Sequence, residues 1–190
     1  MTTQAETFIQ TSSSPASAWE IDTSHASAGF KVRHMMVANV RGELGPVSGT
    51  VWLDERQPER SRVDVRIDVR GINTREPKRD EHLRSADFFD AENHPEVRFV
   101  STEVKQGRQG LVLVGDLTIR GVTRSISLDV EPLEPALTDP WGNTRRGVAA
   151  RGRLNRKDFG LEWNMVLEAG GFLVGDRVDL EIEAELTLKK

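Results

Sequence analysis

From Trp19 onward, apolar and polar residues alternate with a period of two and not with the 3.6-residue period of a helix. The clearest stretch is 62–70, where Val63, Val65, Ile67 and Val69 interleave with Asp64, Arg66, Asp68 and Arg70. A half-buried strand requires this pattern, because its side chains point in turn to the core and to water. The C-terminus repeats it, with Val178, Leu180, Ile182, Ala184, Leu186 and Leu188 set against Asp179, Glu181, Glu183 and Glu185. Ala28, Phe30, Val32 and His34 share one parity, with Lys31 and Arg33 on the other. Weaker alternation predicts strands over 47–53, 97–104, 111–119, 122–130 and 147–154. Turn chemistry separates these runs, at Gly45-Pro46, Gln57-Pro58, Gln106-Gly107, Arg120-Gly121, Pro140-Trp141-Gly142-Asn143 and Ala169-Gly170-Gly171.

Eight or more such strands, joined mostly by short loops, predict an all-β antiparallel barrel or sandwich. One segment interrupts the alternation: residues 74–93 carry helix formers around His82-Leu83-Arg84 and predict a short helix, or two single turns, near 76–90. Ser85 or Asp87 is placed to cap a second turn before Phe88-Phe89. A sandwich core is filled from both sheets, whereas Gly49, Gly115, Ala150 and Gly152 sit here on inward parity. These small residues favour a barrel of about eight strands, wide enough to hold one small ligand.

Composition narrows the field. The chain has 190 residues, with 26 basic against 30 acidic side chains and a net charge of −4. That size suits one domain with a real core. The charge balance argues against a nucleic-acid partner, since phosphate binding needs a basic face. With no cysteine there are no disulfides and no thiolate metal sites. No apolar run approaches the roughly 20 residues needed to span a bilayer, so stable membrane insertion is not expected. Residues 1–17 are Thr/Ser/Gln/Ala-rich with Glu6 as the only charge, and are read as a flexible tail ahead of a domain over 18–190. The tail lacks the basic and apolar regions of a secretory signal, which makes the cytoplasm the expected location.

Four strings carry a resemblance to a known family. The first is Trp19-Glu20-Ile21-Asp22 with His25, followed by Phe30-Lys31-Val32-Arg33-His34-Met35 and Val40-Arg41-Gly42. The most specific runs from Arg79 to Asp90 (RDEHLRSADFFD) and continues in Pro95 and Phe99-Val100-Ser101-Thr102. The third is Gly115 to Thr123 (GDLTIRGVT), and the last Leu154 to Leu161 (LNRKDFGL). Together they resemble the YceI-like family of lipocalin-like barrels associated with polyisoprenoid binding, over nearly all of 18–188. The chain departs from the family pattern at Gly71-Ile72-Asn73-Thr74 and at Leu44, and it shows no secretory signal although family members are often periplasmic or secreted.

The resemblance implies non-catalytic binding or transport of a long apolar lipid, of polyisoprenoid or quinone type, in an elongated cavity. No cofactor is expected beyond such a bound lipid. By parity the inner wall would include Phe30, Val32, Val65, Ile67, Phe99, Leu113, Leu117, Ile126, Leu128 and Leu154. The ordinary role of such residues is to pack against one another; the resemblance implies that as a set they enclose a guest. Met36, Phe88, Phe89, Trp163 and Phe172 are candidates for the wall and mouth, the last two flanking Gly170-Gly171. An apolar lip is also compatible with a homodimer. Head-group candidates are His34, which shares parity with Phe30, and Arg79, His82, Arg84 and Asn155. The arginines lie among Asp80, Glu81, Asp87 and Asp90, so internal pairing competes with any ligand role.

Two other readings stand beside the carrier. One is an enzyme acting on a hydrophobic substrate in the same cavity; the other is a stress-linked interaction module with a solid core. The four histidines are scattered, with no i, i+4 pair of metal-ligand spacing. No G-x-S-x-G elbow or phosphate-binding glycine loop is present. Tyrosine is absent.

Overall fold

The computed structural model describes residues 16–168 and 170–190. The tail expected over 1–17 therefore lies outside the described residues except for Ala16 and Ser17, and Ser17 already opens the first strand. Ten strands follow: β1 (Ser17–His34), β2 (Ala38–Glu43), β3 (Val47–Leu53), β4 (Arg62–Asp68), β5 (Glu96–Gln106), β6 (Leu111–Ile119), β7 (Val122–Val130), β8 (Leu137–Thr138), β9 (Thr144–Asn155) and β10 (Val174–Leu188). Each predicted alternating run is present: 47–53, 111–119 and 122–130 keep their bounds as β3, β6 and β7, and the others are extended or trimmed.

The sheet runs β10-β1-β3-β4-β5-β6-β7-β9, and β9 pairs back onto β10, closing an antiparallel barrel of eight strands. β2 prolongs the wall beside the second half of β1, and β8 flanks β9. Tight hairpins set the registers. Between β6 and β7, Arg120 and Gly121 both take positive φ (50° and 74°), the backbone that matches strand twist in a two-residue turn. The β1–β2 turn uses Met35 and Met36 in the same left-handed region. The Arg33 guanidinium holds that turn by donating to the Met36 carbonyl at 3.1 and 2.7 Å.

The single α-helix among the described residues, α1 (Pro77–Arg84), fills the interruption between β4 and β5. Proline stands in its first turn, and the Glu76 carboxylate caps it by accepting from the Lys78 and Arg79 amides. Beyond it the chain turns at Ser85, whose hydroxyl accepts from the Asp87 amide at 3.3 Å, and delivers Phe88 and Phe89 into the core. α1 and the β1–β2 turn therefore lie at one end of the barrel. The start of β1 and the β8–β9 hairpin lie at the other.

Candidate functional site: the barrel interior and its two ends

The inner faces of the barrel are not alike. Along β5–β7, Val97, Phe99, Leu113, Leu117 and Leu128 are all buried. Gly115 and Gly152, expected to leave space, do not. A Cβ at Gly115 would lie 2.4 Å from the Phe99 ring, and one at Gly152 2.4 Å from Leu128 Cδ2. These glycines are small because neighbouring side chains occupy their volume, which corrects the expectation that they hollow the core.

The wall formed by β1, β9 and β10 differs. Its rungs are Ala28–Ile182–Ala150, Phe30–Leu180–Gly152 and Val32–Val178–Leu154. These residues face inward, because the intervening rung of Lys31, Asp179 and Arg153 is an ion-paired outer one, at 3.2 and 2.9 Å. Yet Phe30, Val32, Leu154, Val178, Leu180 and Ile182 all stay partly accessible. On the same rungs Ala28 and Ala150 are buried, and the space at Gly152 is taken by Leu128. Val65, Ile67 and Ile126 are also only partly buried.

The helix end is lidded by aromatic groups. The His82 ring sits edge-on to Trp163 at 4.5 Å and to Phe88 at 5.1 Å, and its Nε2 meets the Asp87 carboxylate at 2.8 Å. Of the other polar candidates, Arg79 donates to the Thr74 hydroxyl and carbonyl at 2.8 and 2.9 Å. Arg84 reaches the Ile72 carbonyl at 3.4 Å, and the Asn155 side chain accepts from the Lys157 amide at 3.0 Å. All three are engaged within the protein. His34, opposite Val174 and Ala38 at the rim, is partly buried and shares the inward parity of Val32.

Two loops form a protruding apolar lip at the same end. Met36 and Phe172 are 60% and 53% exposed, and Met35, Val37, Met165 and Val166 project with them. The Met35 amide donates to the Leu173 carbonyl at 2.8 Å, which joins the loops. Arg156, within the Leu154–Leu161 string, is the buried staple of this region. It is 4% exposed and donates to the carbonyls of Gly175 and Trp163, each at 2.9 Å, and to the Asp176 carboxylate at 3.3 Å. Burial pushes its guanidinium below the usual range, and Asp176 opposes that shift.

A second ionic cluster, not singled out from sequence, ties down the far end. Between Ile21 and Ala26, β1 bulges, spanning five steps against two on β10 (Leu186 to Ala184). The bulge presents Asp22, which meets Arg145 at 2.8 Å, while Arg145 also holds Asp139 at 2.6 Å and Glu185 at 2.8 Å. The Ser24 hydroxyl, Arg145 and His25 hold the Asp22 carboxyl well below the usual carboxylate range. For Asp139, burial opposes ionisation, but Arg145 and Asn143 outweigh it. Ser24, His25 and Asp22 touch, but both contacts use the same ring nitrogen of His25. A nucleophile relay needs both nitrogens, so this trio is a structural knot.

A family model described as YceI-like domain matches residues 19–186. The chain is 37% identical over 154 residues to a UPF0312 protein of Photorhabdus laumondii, with 80% of each chain covered. Its fold is similar to that of BcnA from Burkholderia cenocepacia, with TM-score 0.75, 17% identity, and 87% of this chain and 98% of that one covered. It is likewise similar to a polyisoprenoid binding domain from Saccharophagus degradans, with TM-score 0.63, 14% identity, and 92% and 99% covered. The chain belongs to the YceI-like family, with the lipocalin-like barrel expected from its sequence.

Proposed function

We propose that this protein is a non-catalytic carrier of a long apolar lipid of polyisoprenoid or quinone type. The observation that carries the reading is the β1–β9–β10 wall, whose inward apolar side chains remain partly accessible. Transfer of apolar surface from water contributes about 25 cal/mol per Å². A flexible chain laid against Phe30, Val32, Leu154, Val178, Leu180 and Ile182 therefore gains affinity without a decisive polar contact. The domain of similar fold from Saccharophagus degradans, described as polyisoprenoid binding, supports the same class of guest. The Met/Phe lip at the helix end is the entrance, with His82, Phe88 and Trp163 as its inner lid and His34 nearest a polar group passing the rim.

Native mass spectrometry of freshly purified protein tests this reading. A bound lipid mass released on denaturation is expected. A protein that carries no mass and takes up none from a panel of polyprenyl lipids contradicts it.

A further inference from the structure

The lip at the helix end is uncharged as well as apolar. Between Arg33 and Arg41 the chain has no Asp, Glu, Lys or Arg, and between Glu162 and Asp176 it has only Glu168. Three of its four methionines, Met35, Met36 and Met165, gather there from two distant segments. Val37 and Val166 are 77% and 73% exposed, so the tips project and form no groove wall. The polar backbone groups of this projection are largely spoken for. Leu173 joins the two loops, its carbonyl accepting from the Met35 amide and its amide donating to the Met165 carbonyl at 2.9 Å. The Asn164 side chain donates to the Val174 carbonyl at 2.7 Å and accepts from the Val174 amide at 3.0 Å. At the tip, the Arg33 guanidinium covers the Met36 carbonyl. Water would satisfy that carbonyl unaided, whereas in an apolar layer backbone groups need internal partners.

Exposed apolar patches mark contact with a protein or a membrane. A protein partner read by charge would find only Arg33 and Glu168 on these loops. Flexible thioether side chains instead suit a fluid surface of varying shape. Lys157, 5.9 Å from the Phe172 ring centroid, is paired with Asp176 at 3.0 Å and so has little unspent charge for an anionic headgroup. We propose that the lip is a docking surface for a zwitterionic lipid bilayer, with Met36, Val37, Val166 and Phe172 reversibly entering its interfacial layer. Such binding scales with the apolar area buried. Docking requires no guest in the barrel; only the passage of a guest through the lip rests on the carrier reading.

Co-sedimentation of the protein with phosphatidylcholine vesicles tests the docking. The wild type is expected to bind, and Met36→Asp/Phe172→Asp to bind at least tenfold more weakly. Both side chains are exposed, and aspartate tolerates the left-handed backbone of Met36. Val37→Asp alone should lower binding several-fold, which keeps the test decisive if the double variant fails to fold. Trp141→Ala, at an exposed indole on the far end, should leave binding within twofold, and so should raising the salt from 0.1 to 0.5 M. No binding by the wild type, equal binding by the lip variants, or a loss with Trp141→Ala or with salt as large as theirs overturns the inference. A wild type that leaves vesicles unbound and dimerises, with the double variant monomeric, assigns the lip to a second copy and also overturns it. Vesicle binding by a protein that takes up no lipid leaves the docking standing and contradicts the carrier; lipid uptake without vesicle binding does the reverse.

Discussion

The β5–β7 wall and the β1–β9–β10 wall obey the same alternation, yet one is packed shut and the other is not. In the first, Phe99, Leu113, Leu117 and Leu128 are buried, and glycines opposite them take up no volume the aromatic and leucine side chains need. In the second, Phe30 and Leu180 stand beside Gly152, and Ile182 beside Ala28 and Ala150. The difference lies in exposure and not in hydrophobicity: Phe30, Leu180 and Ile182 stay partly accessible where Phe99, Leu113, Leu117 and Leu128 do not. One half is closed by its own side chains, while the inward side chains of the other stay partly accessible.

Truncation in each wall should break the symmetry most. Phe99→Ala empties a packed position and is expected to cost about 3–5 kcal/mol. Phe30→Ala, already partly accessible, should cost about half as much or less, because less apolar area is returned to water. Urea unfolding of both variants measures the gap; equal losses would mean the two walls are packed alike.

Additions should sharpen the same contrast with smaller effects. Gly115→Val drives a side chain into the Phe99 ring and the Val100 carbonyl, and overpacking of this kind costs about 1–3 kcal/mol. Val32→Trp projects into the accessible side and should change the melting temperature little. A comparable loss of stability in both would place Val32 in a closed core.

The smallest effect is on acid stability and concerns the knot around Arg145. The Asp22 and Asp139 carboxyls are held low in the folded protein, so their contribution is complete above the unfolded carboxyl pKa of about 4 and is lost as pH falls below it. The urea midpoint of the wild type should therefore fall more steeply from pH 4 to pH 2 than that of Arg145→Met. Parallel curves would remove Arg145 from this role.

The strands were legible in the sequence because period-two alternation is a direct imprint of a sheet with one wet face. Runs such as 111–119 and 122–130 appear with the same bounds as β6 and β7. The interior was harder to read. Parity told which residues face inward, but the fate of Gly115 depends on where Phe99 of the next strand points, a cross-strand fact absent from any local pattern. The polar candidates divide likewise: Arg79, Arg84 and Asn155 serve carbonyl, hydroxyl and amide groups of their own loops. Neither Arg156 nor Arg146 was singled out in the sequence, where each is one charge among several neighbours. Only tertiary contacts show the first stapling the mouth and the second buried over Trp19. A charged residue on apolar parity, as Arg146 is relative to Val148, Ala150 and Leu154, was the one available signal.

The most direct test of the accessible wall is a titration of the delipidated protein with a long polyisoprenoid, beside Val32→Trp. A saturable one-to-one uptake by the wild type, weakened at least tenfold in the folded variant, is the predicted result. Equal uptake by both proteins, or none by the wild type, would contradict a lumen bounded by β1, β9 and β10.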